Sequence, residues 1–88
     1  MSEAEETRRK RLRIRAWRRG IKEMDLVLGG YADAELAGMD HAAMDRLEAL
    51  MAESDHDLWA WVSGAEAPPE GHAALVAELS ARRPAAER

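Results

Sequence analysis

The side chains in this 88-residue chain most able to do chemistry are its arginines, its carboxylates and three histidines. Their spacing limits what that chemistry can be. Cysteine is absent, which excludes thiol nucleophiles, disulfides and cysteine-ligated zinc and suits a reducing compartment. His41 and Asp45 stand four apart, His56 lies between Asp55 and Asp57, and His72 stands alone. A metal site needs three or four converging ligands, so the histidines read as solvent-facing helix residues. The carboxylate pairs Glu23/Asp25, Asp33/Glu35 and Asp55/Asp57 all fall at i, i+2. On a helix such side chains point about 200° apart and cannot share one substrate, so paired-carboxylate acid–base catalysis is not supported. Neither a phosphate-cradling glycine loop nor a nucleophile elbow occurs. The expectation is a binding protein and not an enzyme, with no metal site.

Two groups of residues remain. The first is a cationic run. Nine of the thirteen basic residues (Arg8, Arg9, Lys10, Arg11, Arg13, Arg15, Arg18, Arg19 and Lys22) lie between positions 8 and 22, with no acid among them. The rest of the chain is acidic enough to bring the net charge to −4. A cationic helix can neutralise phosphates, which leaves a small nucleic-acid-binding or regulatory protein using residues 8–19 as an alternative. The acidic remainder opposes that, and no nucleic-acid module is visible. Two other readings rank higher: a face that pairs with acids of the same chain, and a face that docks on an acidic protein.

The second group is Arg19-Gly20-Ile21-Lys22-Glu23-Met24-Asp25. In a continuous helix Arg19 and Glu23 would form an i, i+4 pair worth a few tenths of a kcal/mol. Alternatively, Gly20 removes a side chain beside an arginine and an acid, so a partner's backbone can approach closely. Arg19 would then offer a planar fork of donors. Spacing alone leaves both readings open.

The elements that must position these residues are helical. Ala, Leu, Glu, Arg and Met dominate, phenylalanine is absent, and β-branched residues are few. The expected fold is all-α, a compact single-domain bundle of about five short helices. A flexible tail spans 1–6, the helical domain 7–82 and a second flexible tail 83–88. Ile14, Trp17, Ile21, Met24, Leu28 and Tyr31 trace one stripe at helical spacing. Gly20 interrupts it, so helices over 7–18 and 20–37 with a bend at Arg19-Gly20 are predicted. Gly29-Gly30 marks a kink or the close approach of another helix. Asp40 is the predicted N-cap of a third helix burying Met44, Leu47 and Met51, and Ser54-Asp55 caps a fourth. A fifth helix is predicted over 70–82, burying Leu75, Val76 and Leu79. Trp17 and Trp61 are expected in the core and Trp59 partly exposed. No apolar run approaches the roughly 20 residues of a membrane span. The N-terminus reads as neither a secretory nor a transit signal, so the bacterial cytoplasm is the expected home.

Arg19, Gly20 and Glu23 spell Arg-Gly-x-x-Glu, followed by Asp25. Upstream stands Arg9-Lys10-Arg11-Leu12-x-x-Arg15. Downstream come Leu26-x-Leu28-Gly29, Ala32-Asp33-Ala34-x-Leu36-x-Gly38 and Asp55-x-Asp57-Leu58-Trp59-x-Trp61. In this order and spacing, over about residues 8–64, the chain resembles the SdhE family, the FAD assembly factors of succinate dehydrogenase. His56 departs from the family, which often has proline there, and Gly30 stands where a bulkier residue is common. The resemblance implies a flavinylation chaperone that binds the flavoprotein subunit of succinate dehydrogenase and promotes covalent attachment of FAD to a histidine of that subunit. FAD would belong to the partner, and the helper would bind no cofactor stably. The resemblance puts Arg19, Gly20 and Glu23 at the partner interface, with Asp25 and Arg15 as secondary members. It implies a monomer when free, no nucleic-acid partner and no membrane insertion. Whether the flavoprotein of fumarate reductase is a second client is left open, as is a more general protein-interaction adaptor.

Overall fold

The core begins with Leu12 and Ala16, the two buried residues of the first helix, α1 (Glu5–Ala16). The computed structural model describes residues 3–82. After α1 come α2 (Lys22–Glu35), a 3-10 turn (Leu36–Gly38), α3 (His41–Met51), α4 (Asp55–Val62), a second 3-10 turn (Glu70–His72) and α5 (Ala73–Ala81). The protein is all-α and forms one domain, with no strand among the described residues. The α2 helix is the hub and packs on α1, α4 and α5, while α1 also packs on α3.

Helix starts follow local chemistry where a capping side chain exists. Asp40 accepts from the Ala43 amide at 2.9 Å, and the Ser54 hydroxyl accepts from the Asp57 amide at 3.1 Å. Each cap satisfies an orphaned N–H and contributes about 1 kcal/mol. The first turn of α1 carries Glu5 and Glu6 and its last turn Arg13 and Arg15, a charge order that complements the helix dipole. Because α1 starts at Glu5, the helix begins two residues ahead of the predicted tail boundary, and Glu3 is tied to Arg11. The predicted tail at 83–88 lies outside the described residues.

The interior is aliphatic and sulfur-rich: Met24, Val27, Leu28 and Tyr31 from α2, Met44, Leu47, Leu50 and Met51 from α3, Leu58 and Val62 from α4, and Val76 and Leu79 from α5. Leu36 and Met39 close it at the α2–α3 connection. Met44, Leu47 and Met51 face inward as their spacing predicts, and Val76 and Leu79 do the same on a helix that starts three residues late, after the 3-10 turn. Leu75 is half-buried at the edge.

The apolar stripe of the first two helices divides. Met24, Leu28 and Tyr31 are in the core, but Ile14 is 54% exposed, Trp17 39% and Ile21 37%. The predicted bend is in fact a complete break. Residues 17–21 are non-helical apart from a C-cap at Trp17, and Gly20 has φ +115°. A helix needs φ near −63°, so the break shifts the register between the two halves, and α1 turns Leu12 and Ala16 inward instead. Trp17 is therefore not a core residue. Its ring lies against the backbone of Gly29, where an added β-carbon would stand 2.2 Å from the indole. The close approach expected at Gly29-Gly30 is thus made by the Trp17 side chain, and α2 runs through both glycines as one helix.

Candidate functional site

The break between α1 and α2 is held by polar contacts that span the chain. The Arg19 side chain is 11% exposed. Its Nε donates to Asp55 Oδ1 at 2.8 Å, Nη1 to the Met51 carbonyl at 2.6 Å and Nη2 to the Glu53 carbonyl at 2.8 Å. Met51 ends α3 and Asp55 opens α4, so one guanidinium bridges the connection between those helices. Carbonyls at a helix end lack intrahelical partners, and a cation there is favoured by the dipole. The Arg19 amide in turn donates to Asp25 Oδ1, in the first turns of α2. Gly20 crosses beside this cluster, and a β-carbon on it would lie 3.4 Å from Asp55 Oδ2. Its φ of +115° is a conformation that L side chains resist.

These contacts correct the first reading of the motif. The i, i+4 pair between Arg19 and Glu23 does not form, because residues 17–21 are not helical and the guanidinium turns to Asp55 instead. Arg19 is not an open fork either, since three of its N–H groups bind within the chain. Glu23 stands exposed in the first turn of α2, and no hydrogen bond or ion pair holds its carboxylate among the described residues. Gly20 is exposed, and Asp25 is half-buried beneath the Arg19 backbone. Arg15 lies one α1 turn earlier, with Nη1 3.3 Å from Glu48 Oε2. The structure therefore gathers Arg19, Gly20 and Asp25 around one loop, leaves Glu23 facing solvent beside it, and ties Arg15 into a separate ionic cluster.

Spacing did not reveal the surface next to the loop. Ile21, His56, Trp59, Ala60, Ser63 and Ala65 line an open, largely apolar groove of about 440 Å³. Trp59 is half-buried against the core, as its off-stripe position predicts. Ile21 is the N-cap residue of α2 and has no side-chain cap to offer. Isoleucine is among the poorest residues for that position. That mismatch is the sequence signal that could have singled out the groove, once the helix start was known.

The cationic run meets carboxylates of its own chain. Arg8 Nη2 pairs with Asp45 at 2.7 Å and Glu48 at 2.9 Å, and Arg11 pairs with Glu3 at 2.9 Å and Glu48 at 2.8 Å. Arg9 pairs with Glu5, and Arg13 with Asp33 at 3.3 Å. Glu48 serves three arginines. Hydrogen bonds from Arg11 and then Arg8 lower its carboxyl to about 2, and the Arg11 bond also lowers Glu3. The reading in which this face pairs internally accounts for most of its charge. Lys10, Arg18 and Lys22 stay exposed outside the network.

Two histidines are less exposed than predicted. Arg8 Nη1 donates to His41 Nδ1 at 2.9 Å, and His72 Nε2 lies 3.0 Å from Glu53 and against the Trp61 ring. Tertiary packing brings them these partners, while His56 stays exposed. No cluster of three or more His, Cys, Asp or Glu among the described residues could hold a metal ion. Among the described residues no helix is long and apolar enough to cross a membrane.

Over residues 10–83 the chain matches the family described as flavinator of succinate dehydrogenase. It is also similar to proteins named succinate dehydrogenase assembly factor 2, mitochondrial. The Aspergillus terreus protein is 38% identical over 65 residues, covering 74% of this chain and 22% of the relative. The Candida glabrata protein is 36% identical over 63 residues, covering 72% and 41%. The Arabidopsis thaliana protein is 37% identical over 60 residues, covering 68% and 32%. The chain thus spans less than half the length of each of these relatives.

Proposed function

The chain belongs to the family of flavinators of succinate dehydrogenase, and from that premise we propose that it is an assembly factor for this enzyme. In this reading it binds the flavoprotein subunit and promotes covalent attachment of FAD to that subunit. The observation that carries the reading is the surface made by the α1–α2 break. A rigidly held loop presents the exposed backbone of Gly20 and the exposed side chains of Ile21 and Glu23, next to an apolar groove.

Each part has a physical task. Gly20 lets a partner's backbone come close. Glu23 accepts hydrogen bonds from donors on the partner, and a charge-assisted bond of this kind is about twice as strong as a neutral one. The groove takes an apolar side chain at the edge of the contact. The bond-forming chemistry belongs to the flavin and the flavoprotein. The helper holds its client in a productive conformation and needs neither a catalytic group nor a resident cofactor. Cytoplasmic location in a bacterium is part of the same proposal, and the absence of cysteine suits it.

The experiment is to co-express the chain with the succinate dehydrogenase flavoprotein of its own organism, and to run the flavoprotein alone beside it. Covalent flavin on the subunit, read by in-gel fluorescence, should rise with the chain present, and the two proteins should co-elute on gel filtration. Equal fluorescence with and without the chain, and separate elution, would contradict the proposal.

A further inference from the structure

Arg19 carries a charge and lies in the motif, yet its guanidinium is almost entirely covered. We propose that Arg19 serves the interface as a positioning residue, not as a contact, and that Asp55 is its counterpart. Together they latch the 17–21 loop to the α3–α4 connection and so set where Gly20, Ile21 and Glu23 meet the flavoprotein. The proposal rests on the reading that this surface meets the flavoprotein, and it adds a residue that the motif does not contain.

Four observations converge on it. The Arg19 and Asp55 side chains are 11% and 16% exposed, and the ion pair between them is 2.8 Å long. The other end of the guanidinium is occupied by the Met51 and Glu53 carbonyls. Arginine's planar fork matches such a fixed set of acceptors, which an ammonium would not. With three of its five N–H groups bound within the chain and only 11% of the side chain exposed, Arg19 has little left to offer a partner. The Arg19 amide is tied to Asp25, so the backbone is held as well as the side chain. Finally, the second oxygen of Asp55 lies 3.4 Å from where a Gly20 β-carbon would be. The same carboxylate therefore holds Arg19 and borders Gly20. Asp55 is 36 residues from Arg19 in sequence, so the loop is positioned by the fold and not by its own short segment.

The latch and the contact predict different couplings. Affinity for the purified flavoprotein subunit is measured for the full chain and for Arg19→Ala, Asp55→Asn and the double variant. Hydrogen exchange of residues 17–23 is followed on the same proteins. If the pair is a latch, each single variant weakens binding by a similar factor, on the order of tenfold for loss of a charge-assisted bond. The double variant is then no weaker than the worse single variant. Exchange in the loop accelerates in all three, while the centres of α2 and α3 stay protected. Asp55→Glu, which keeps the charge, recovers part of the affinity. A purely structural role would lower the melting temperature and leave the affinity of the folded protein unchanged, which overturns the proposal. It is also overturned if Arg19→Ala abolishes binding while Asp55→Asn binds like the unsubstituted chain, because Arg19 is then a contact. An unsubstituted chain that does not bind the flavoprotein marks failure of the underlying functional reading, and the exchange data still decide whether the pair holds the loop.

Discussion

The indole of Trp17 lies against Gly29 of the neighbouring helix, so closely that a β-carbon at position 29 would fall 2.2 Å from the ring. The next residue, Gly30, has open space around the same position. Two adjacent glycines in one helix thus have opposite roles: one makes room for a side chain from α1, and the other only weakens α2.

Alanine substitutions should separate them. Gly29→Ala is predicted to lower stability by about 1–3 kcal/mol, the usual cost of overpacking, despite alanine's better helix propensity. Gly30→Ala is predicted to raise stability by about 0.5–1 kcal/mol. Urea unfolding followed by far-ultraviolet circular dichroism measures both. Equal stabilisation by the two substitutions would mean that Trp17 does not occupy the Gly29 face.

Acid should loosen the α1–α3 junction through Glu48. Its carboxyl is lowered from 4.5 to about 2, first by the Arg11 hydrogen bond and then by Arg8. The unfolded chain takes up this proton at higher pH than the folded one, so acid favours unfolding. The contribution is complete above about pH 5 and is lost as pH falls through about 2. The urea midpoint is expected to fall steeply across that window and less steeply in Glu48→Gln. Identical pH profiles for the two proteins would show that Glu48 does not carry the effect.

Ile21→Ser should move stability and binding in opposite directions. Ile21 sits at the N-cap of α2 in the extended conformation that a capping residue adopts (φ −121°, ψ 139°), without a capping side chain. Serine there is predicted to stabilise the fold by about 0.5–1 kcal/mol. It removes an apolar surface from the groove, so affinity for the flavoprotein should fall by about tenfold, the equivalent of one well-buried aliphatic side chain. Thermal melts and a binding isotherm on the same preparation test the pair. A variant that is more stable and binds unchanged would remove Ile21 from the interface.

The legible parts of the fold were those written in local sequence. Asp40 and Ser54 act as caps because the groups they satisfy lie three residues away. The inward faces of α3 and α5 follow from helical spacing alone. The stripe from Ile14 to Tyr31 misled because spacing carries a face forward only while the backbone stays helical. A single positive-φ glycine shifted the register, and Ile14, Trp17 and Ile21 came to the surface. The family resemblance of the motif was legible from its flanking residues, but the hydrogen-bond partners of Arg19 were not. These partners, Met51, Glu53 and Asp55, lie more than thirty residues downstream, and the packing of α1 on α3 and of α2 on α4 brings them together.

The most direct test of the central claim, that the exposed Gly20–Glu23 surface is what the flavoprotein recognises, is covalent flavin on the co-expressed subunit with three forms of the chain. The unsubstituted chain should give full in-gel flavin fluorescence. The Glu23 carboxylate holds no hydrogen bond or ion pair among the described residues, so Glu23→Ala should change stability by no more than about 0.5 kcal/mol yet lower the fluorescence at least tenfold. Gly20→Arg should abolish it. Full fluorescence with a folded Glu23→Ala chain and with Gly20→Arg would contradict the account.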